Sequence, residues 1–227
     1  MNLLIGIPAY NEESKLKNII KSLPDKLPGI SRIDTLVVDD GSQDSTASTA
    51  RSAGVVVVRH LINRGLGGSL KTIFEYARKY NYDFLLTFDA DGQHNPEDIK
   101  QLLLGVLKKN CDVVIGSRWL GKGRKSPILR YFINRLANIY TYLLYGCKTS
   151  DSQSGLRAFN KKAVSLINLT SDGMEVSSEF FREIYRHKLI FREVPISLIY
   201  TDYSLKKGQR ITNASGVFLR LILRLFR

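Results

Sequence analysis

The chain has 227 residues, enough for one buried core with at most a small appendage. Its 44% hydrophobic and 24% charged residues are ordinary for a globular protein. Two cysteines, with no CxxC and no Cys/His cluster, exclude a disulfide framework and a zinc site.

The net charge of +13 is carried by two segments without acidic residues. Residues 113–150 hold seven bases and residues 203–227 hold six. Because Leu, Ile, Tyr and Phe alternate with these bases, the segments indicate an anionic partner with an apolar body. A phospholipid surface, a lipid phosphate and a nucleic acid all have this character.

The N-terminus lacks a basic region, and its apolar run is too short for a signal peptide. No stretch of about 20 uninterrupted apolar residues occurs, so we expect no transmembrane helix. These features predict a chain that folds on the cytoplasmic side.

The first 117 residues alternate predicted strands and helices. In chain order these are a strand at 3–7, a helix from 14, a strand at 33–38, a helix at 44–53, a strand at 55–58, a helix at 67–80, a strand at 84–88, a helix beginning at 95–98 and a strand at 113–115. The strand at 55–58 is wholly apolar, which predicts that both of its faces are covered. The alternation predicts an α/β fold with a doubly wound, mostly parallel sheet.

The second half is less regular. It contains a predicted basic amphipathic helix at 128–145, a loop and short strand within 151–159, a helix at 174–187, a strand at 190–200 and a short basic helix at 217–226. No repeat or low-complexity linker divides the chain, so we expect a single domain over 1–227.

Polar clusters follow the predicted strands of the first half, at the strand ends where doubly wound sheets bind ligands. They are Pro8-Ala9-Tyr10-Asn11-Glu12, Asp39-Asp40-Gly41-Ser42, Asp89-Ala90-Asp91-Gly92-Gln93 and Arg118.

Asp89 and Asp91 place two carboxylates two positions apart at the end of a hydrophobic strand. A diphosphate shares such a negative site only when a cation bridges them, and Mg²⁺ or Mn²⁺ accepts carboxylate, phosphate and water oxygens. Gln93 could add a neutral oxygen ligand. The alternative is that the aspartates only cap a turn, which Asp-Gly favours.

Other polar residues admit both functional and structural interpretations. Asp39 and Asp40 could accept hydrogen bonds from a base or ribose, whereas Ser42 or Asp44 could cap the following helix. The glycine-rich segment at 63–68 is neither GxGxxG nor a P-loop, and it is equally consistent with a tight loop before a helix. The three histidines lack metal-ligand spacing and receive no role.

In this order, the motifs IPAYNEE, VVDDGSQDST, NRGLGGSL, FDADGQ, GSR and DSQSGLRAF resemble those of family 2 glycosyltransferases. The resemblance is to the branch of dolichyl-phosphate mannose synthases and polyprenyl-phosphate glycosyltransferases. It is specific from about residue 4 to residue 159 and loose beyond. It implies a GT-A-like fold with a nucleotide-sugar-binding half at 1–117, an acceptor half at 118–212 and a basic amphipathic helix at 213–227.

The resemblance also implies roles for individual residues. The nucleotide sugar is expected to contact Pro8, Tyr10, Asn11, Glu12, Asp39, Asp40, Asp89, Ala90 and Asp91. The Mg²⁺ or Mn²⁺ ion is expected to bind Asp89, Asp91 and Gln93. The phosphates of donor or acceptor are expected to meet Arg118, Arg130, Ser154, Lys207 and Arg210. Asp91 and Arg118 are the residues expected to carry catalysis.

The implied reaction is the inverting transfer of a hexose from a nucleoside diphosphate sugar, of the GDP-mannose or UDP-glucose type, to a polyprenyl phosphate. The two basic amphipathic helices predict a peripheral contact at the cytoplasmic face of a membrane. A small integral-membrane protein is a further possible partner, and a nucleic acid is not expected.

Two alternatives remain open at this point. A family 2 glycosyltransferase acting on a polysaccharide or another hydroxyl acceptor would need a carboxylate base, for which Asp151, Glu175 and Glu179 are candidates. A non-catalytic nucleotide- or nucleic-acid-binding module would explain the basic charge but not Asp89, Asp91 and Gln93.

Overall fold

A computed structural model describes residues 1–108, 111–121, 128–197 and 199. Through residue 117 its strands and helices alternate as the sequence predicts. In chain order they are β1 (Asn2–Ala9), α1 (Glu13–Ser22), β2 (Arg32–Asp39), α2 (Thr46–Ser52), β3 (Val56–Arg59), α3 (Gly65–Lys79), β4 (Phe84–Thr87), α4 (Asp98–Leu107), β5 (Val113–Ser117), α5 (Ile128–Tyr145), β6 (Arg157–Asn160), α6 (Lys161–Leu166), α7 (Val176–Arg186) and β7 (Phe191–Pro195).

The described strands form one sheet in the order β3-β2-β1-β4-β6-β5-β7. All neighbours are parallel except β6, which runs antiparallel to both β4 and β5. The carboxyl ends of the parallel strands therefore share one edge with the amino end of β6. The residues that precede β6 consequently reach the same edge as the polar clusters of the first half.

Apolar residues cover both faces of the sheet, as expected for parallel strands. Alternate residues of β1 enter different core clusters: Leu3 and Ile5 pack with α1 and α4, whereas Leu4 packs with α3 and α7. Gly6 lets α3 approach β1 closely, since a Cβ there would lie 2.4 Å from a methyl carbon of Ile73.

The sequence-based predictions hold for the fold class and for the helix at 128–145, but three local features differ. The apolar strand at 55–58 is an edge strand, and Val56 is 43% exposed rather than covered. The strand predicted at 190–200 ends at Pro195. Helix α6 was not predicted, although Asn160 gives a sequence signal because its side chain caps the Ala163 amide at 2.9 Å.

No helix among the described residues is long and apolar enough to cross a membrane. The predicted helix at 217–226 lies outside the described residues, as do Lys207 and Arg210. Arg130 belongs to α5, but the structure describes only its backbone.

Candidate active site

Hydrogen bonds join the loops that follow β1 and β2. The Asn11 amide donates to Ser42 Oγ at 2.9 Å, and the Gln43 amide donates to Asn11 Oδ1 at 2.9 Å. Asn11 has a φ of 53°, a left-handed conformation in which asparagine is enriched. Tyr10 is 41% exposed beside these bonds, at the edge of the sheet.

Glu12 and Pro8 flank this exposed tyrosine in more buried positions. The Glu12 amide donates to Thr46 Oγ1 at 2.8 Å, which ties the start of α1 to the start of α2. Pro8 pairs in register with Val38 of β2. Both residues therefore define the backbone path on either side of Tyr10.

Asp39 is fully buried at the end of β2. Its Oδ1 accepts from the Ser42 amide at 3.1 Å, and Arg59 Nε lies 3.1 Å from its Oδ2 as an ion pair outside hydrogen-bonding geometry. Arg59 also donates to the Ser42 carbonyl at 2.8 Å. Because Arg59 covers the outer oxygen of Asp39, a nucleotide would have to displace this arginine or bind it as well.

Asp40 has a different environment, since protein donors bind both carboxylate oxygens. Oδ1 lies 2.7 Å from His60 Nδ1 and accepts from the Arg64 amide at 2.9 Å, while Oδ2 accepts from the Gly65 amide at 2.7 Å. The amides belong to the start of α3, where a carboxylate is favoured by the helix dipole. Asp40 thus holds the start of α3 beside the site, and the nucleotide contact expected for it stays a prediction.

The glycine-rich segment at 63–68 forms this helix start, as its structural interpretation predicts. Gly65 has a φ of 82°, and the Gly67 amide donates to the Asp172 carbonyl at 2.7 Å. A Cβ at Gly67 would lie 2.0 Å from the Ser171 carbonyl oxygen. The glycines are therefore required by close backbone packing between α3 and the loop before α7.

Asp89 and Asp91 lie directly after β4. The Asp89 side chain is 34% exposed, and its Oδ2 is 2.9 Å from Nε2 of the buried His94. Asp91 accepts from Gln93 twice, at Oδ1 from the backbone amide at 2.9 Å and at Oδ2 from the side-chain amide at 2.7 Å. Ala90 between them is buried. Gln93, expected as a metal ligand, thus orients Asp91 in this arrangement.

Burial opposes the charge of both aspartates, but their neighbours separate their pKa values. At Asp89 the hydrogen bond from His94 and the charges of His94, Arg118 and Arg157 outweigh burial and lower the pKa. Burial and the negative charge of Asp89 raise the pKa of Asp91. Burial lowers the pKa of His94, yet the contact with Asp89 more than offsets it and raises the pKa overall.

Two carboxylates lie two residues apart at the end of β4, and the charge of Asp89 raises the pKa of Asp91. This donor set fits a divalent cation, which would relieve the repulsion between them. Among the residues that the structure describes, no group of three or more His, Cys, Asp or Glu side chains is arranged around a common metal position. The aspartates therefore fit Mg²⁺ or Mn²⁺ with its remaining ligands drawn from phosphate and water oxygens.

The segment before β6 packs directly on this site. The Gly155 carbonyl accepts from Thr87 Oγ1 at 2.7 Å, and a Cβ on Gly155 would lie 2.1 Å from Asp89 Oδ2. Only glycine therefore fits against the carboxylate as it is placed. Ser154 Oγ is buried without a hydrogen-bonding partner among the described residues, beside this contact in the chain. The segment before β6 thus reaches Asp89 through its backbone.

Arg118 follows β5 and binds Asp151 in a bidentate ion pair. Its Nε and Nη2 donate to the two carboxylate oxygens at 2.6 Å each, and its backbone amide donates at 3.0 Å. Asp151 is fully buried, whereas the Arg118 side chain is 25% exposed. Arg118, expected to bind phosphate, is therefore held rigidly at the edge of the site by one carboxylate.

Helix α5 holds the Asp151 segment from the other side. Asn138 Nδ2 donates to the Ser150 carbonyl at 2.7 Å, and its Oδ1 accepts from the Ser152 amide at 2.9 Å. Glu193 of β7 accepts from the Ser150 amide at 2.9 Å. Residues 150–152 are consequently fixed by contacts from both α5 and β7.

The three carboxylates considered as bases for a hydroxyl acceptor have different environments. Asp151 is committed to Arg118. Burial raises the pKa of Glu179, but hydrogen bonds from Thr170 and Ser171 outweigh it and lower the pKa; their backbone amides donate at 2.9 and 2.8 Å. Glu175 differs from both, because its Oε2 is buried and accepts no hydrogen bond from a described residue.

The architecture and these contacts agree with a family assignment. Residues 4–167 match the sequence profile described as Glycosyl transferase family 2. The chain belongs to this family. A protein of Methanocaldococcus jannaschii without an assigned function is 41% identical over 97% of this chain and 91% of its own length.

Two further relatives carry functional names. The UDP-N-acetylglucosamine–dolichyl-phosphate N-acetylglucosaminyltransferase of Methanococcus voltae is 32% identical over 96% of this chain and 93% of its own length. The undecaprenyl-phosphate mannosyltransferase of Micrococcus luteus is 32% identical over 95% of this chain and 93% of its own length. The resemblance to polyprenyl-phosphate glycosyltransferases is therefore confirmed, and the chain is a family 2 glycosyltransferase.

Solved structures support the GT-A fold. Glucosyl-3-phosphoglycerate synthase from Mycobacterium tuberculosis, in complex with Mn²⁺, UDP and glucosyl-3-phosphoglycerate, superposes with a TM-score of 0.74. It is 18% identical, and the match covers 99% of this chain and 78% of that one. This likeness confirms the predicted fold class.

Three residues near the site were not predicted from the sequence. His60 contacts Asp40 and His94 contacts Asp89, although the spacing of the histidines in the sequence suggested no role for them. Arg157 is buried on β6, and its only sequence signal is a charge within the otherwise apolar run at 156–159.

Proposed function

We propose that this glycosyltransferase transfers a hexose from a nucleoside diphosphate sugar to a polyprenyl phosphate, with Mg²⁺ or Mn²⁺ and with inversion. The observation that carries the proposal is the contact between Asp89 of the donor half and Gly155 of the acceptor half, next to the Arg118–Asp151 pair. Donor carboxylates and an acceptor-side cation thereby meet at one sheet edge. The names of the Methanococcus voltae and Micrococcus luteus relatives support the acceptor class.

In the proposed reaction, Asp89 and Asp91 hold the cation, His94 orients Asp89, and Tyr10 contacts the nucleotide. The cation would neutralise charge that develops on the departing diphosphate. Arg118, fixed by Asp151, would hold the acceptor phosphate on the side opposite the leaving group. We include Ser154, Arg130, Lys207 and Arg210 in this phosphate-binding role.

The site environment favours a phosphate over a hydroxyl as acceptor. A phosphate monoester has a second pKa of about 6 and is mostly a dianion at neutral pH, so it needs no base. Of the three candidate bases, Asp151 is ion-paired and Glu179 is hydrogen-bonded with a lowered pKa, which leaves Glu175 as the base that a hydroxyl acceptor would need. Catalysis then consists mainly of positioning two anionic groups against their repulsion.

A matched pair of acceptors tests the proposal. The protein is incubated with Mn²⁺ or Mg²⁺, a panel of nucleoside diphosphate sugars, and either a polyprenyl phosphate or the polyprenol of the same length. We expect one donor to yield a glycosylated polyprenyl phosphate by mass spectrometry, and no product from the alcohol. Product with the alcohol alone would favour the hydroxyl-acceptor alternative, and metal-independent binding of nucleotide without any transfer would favour the non-catalytic module.

The outer face of α5 supports a peripheral membrane contact, which we propose at the cytoplasmic face. Its exposed apolar residues are Tyr131, Phe132, Leu136, Ile139, Tyr142 and Leu143. An open groove of about 570 Å³ beside them is lined by Arg135 and Lys148 among others, and residues 113–150 contain no acid. A base near an anionic bilayer contributes about 1 kcal/mol. A small integral-membrane partner could cover the same face.

Vesicle flotation with two matched variants tests the membrane contact. Leu143 and Leu61 are both strongly exposed, but only Leu143 lies on α5. With phosphatidylglycerol-containing vesicles at low salt, we expect the wild type and Leu61→Glu to float and Leu143→Glu to float several-fold less. Equal flotation of the two variants, or no flotation of the wild type, would contradict a contact through α5.

A further inference from the structure

Arg157 is a fully buried charge for which the described structure offers no ion-pair partner. It lies on β6 between Thr87 of β4 and Ile115 of β5, and it is 3% exposed. One guanidinium nitrogen donates to the Ser152 carbonyl at 2.9 Å, whereas Nε has no partner among the described residues. The guanidinium stacks on the Phe180 ring with 4.4 Å from Cζ to the ring centroid.

The strand register places this charge next to the donor carboxylate. Thr87 is directly opposite Arg157 in the antiparallel β4–β6 pair. Continuing the register puts Asp89 opposite Gly155, as the close contact between these two residues confirms. Directly opposed residues share a face, so Asp89 and Arg157 are diagonal neighbours on one side of the sheet. Such neighbours are about 7–8 Å apart, with their Cβ atoms somewhat closer, which is within reach of a long side chain. Gly155 has no side chain to separate them.

Folding alone does not account for a charge in this position. A buried ion is costly to desolvate, and apolar replacements of buried ion pairs are often neutral or stabilising. Burial lowers the pKa of Arg157 to about 10, against the opposing effects of Asp151 and Asp89, and the group stays protonated at neutral pH. The carboxylates that favour its charge are thus those of the site.

We propose that Arg157 is a buried positioning cation that makes the site favourable for the phosphate groups of the substrates and does not itself hold the metal. This inference rests on the proposed function. Without Arg157, Arg118 and His94 would remain to offset the carboxylates of Asp89, Asp91 and Asp151 in this part of the site. A phosphate would then enter a more negative field, whereas a divalent cation would enter a more favourable one.

Loss of the Arg157 charge should change the affinities for anions and for cations in opposite directions. This difference distinguishes the proposed role from general destabilisation of the fold. Loss of the charge weakens the binding of a phosphate group but leaves Mn²⁺ binding unchanged or tighter. A merely structural defect would weaken both. The phosphate group could belong to the donor or to the acceptor, so each is measured separately.

The test uses calorimetric titration of the full chain with Mn²⁺ alone, with UDP or GDP at saturating Mn²⁺, and with farnesyl phosphate. Arg157→Gln removes the charge, Arg157→Lys keeps it, and Phe180→Leu disturbs the stacked ring without changing charge. We expect Arg157→Gln to weaken UDP or GDP, farnesyl phosphate or both about tenfold, with Mn²⁺ affinity undiminished. Arg157→Lys and Phe180→Leu should stay within about threefold of the wild type.

Several outcomes would overturn the inference. These are equal weakening of Mn²⁺ and phosphate ligands, no change in any ligand, or a loss in Arg157→Lys as large as that in Arg157→Gln. Arg157→Met replaces the glutamine variant if the latter does not fold, with the same expectations. A wild type that binds neither Mn²⁺ nor nucleotide would refute the proposed function itself, whereas a wild type that binds both while Arg157→Gln changes nothing would refute only the role of Arg157.

Discussion

Asp89 and Asp91 are two residues apart yet have pKa values shifted in opposite directions. Asp89 is stabilised as an anion by His94 and two arginines, whereas Asp91 has its charge opposed by burial and by Asp89. Asp91 therefore gains most from a bound cation, because the cation removes the repulsion that raises its pKa. The two carboxylates of the motif are not equivalent.

We expect Asp91→Asn to lower transfer at least about 100-fold and to abolish metal-dependent donor binding, because the amide loses the charge that holds the cation. Thermal unfolding should change little, since Asn retains the size of Asp. Asp83→Asn is the matched control at the opposite end of β4, where Asp83 Oδ2 accepts from the Asn2 amide at 2.7 Å. Near-normal turnover in Asp91→Asn would refute the metal assignment.

Glu179 provides a prediction about stability and pH. Hydrogen bonds from residues 170 and 171 lower its pKa below 4.5 despite burial. A carboxylate with a lowered pKa stabilises the fold above its ordinary pKa, and this contribution is lost as pH falls through the lowered value. We expect Glu179→Gln to lower the free energy of unfolding by about 2 kcal/mol at about pH 7, because the amide NH₂ group of Gln would face backbone N–H donors and leave one of them unpaired.

The measurement is chemical denaturation of the wild type and Glu179→Gln from about pH 7 to about pH 3. The difference in free energy of unfolding should be constant above 4.5 and shrink at lower pH. A difference that grows on acidification would show that the sign is wrong. Glu179→Gln should retain transfer at neutral pH in its folded fraction, in contrast to a catalytic base.

The sequence predicts site residues best where chemistry and position coincide. Asp89 and Asp91 are two residues apart in the sequence, and this local spacing of two carboxylates is enough to indicate a cation site. Asp40 shares the strand end of Asp39, but its role depends on amides of α3 some 25 residues later. Arg157 depends on a strand register that no local pattern encodes.

Among the elements, α5 has two faces with different chemistry. Its outer face is apolar and basic, whereas its inner face carries Asn134, Asn138 and Thr141, all polar and largely buried. Asn138 bridges the Ser150 carbonyl and the Ser152 amide, on either side of Asp151. The helix proposed to face the membrane is therefore hydrogen-bonded to the segment that holds Arg118.

We expect Asn138→Ala to lower transfer about tenfold while leaving donor binding unchanged, because it frees Asp151 and hence Arg118 on the acceptor side only. The variant should lose about 1–2 kcal/mol of stability. Thr141→Ala is the control, since Thr141 Oγ1 donates to the Ala137 carbonyl of the same helix at 2.8 Å and is described with no bond to residues 150–152. Parallel steady-state kinetics and nucleotide titration measure both effects, and equal losses in the two variants would refute a positioning role for Asn138.

Local pattern predicts helices and central strands well because their periodicity reflects burial. It fails for β3, whose apolar residues indicate a covered strand although the sheet ends there. It also fails for the placement of β6, since Arg157–Asn160 is too short for a clear alternation. Its antiparallel insertion depends on partners more than 40 residues away.

At the scale of the whole molecule, one sheet draws strands from both predicted halves. β5 pairs only with β6 and β7 in the described sheet, so it has no strand partner within residues 1–117. One of the two neighbours of β4, the strand β6, also lies outside residues 1–117. We therefore propose that the chain is a single domain, in which the donor half at 1–117 is a functional region and not a folding unit.

We expect a fragment of residues 1–117 to show no cooperative thermal transition and no binding of UDP or GDP, because β4 lacks one strand partner and β5 lacks both of its partners in the fragment. Circular dichroism and calorimetry on the fragment, with the full chain as control, measure both. A fragment with a sharp transition and nucleotide affinity close to that of the full chain would show that the donor half folds independently.

The position of β6 also fixes the order in which the protein is completed on the ribosome. Strands β4 and β5 leave the ribosome first, and the strand that separates them follows more than 40 residues later. At a translation rate of about 5–20 residues per second, the nascent chain lacks β6 between β4 and β5 for roughly 2 to 9 s. Chaperones that bind apolar segments during translation would therefore meet β4 and β5 unpaired, and the catalytic edge would be among the last parts to form.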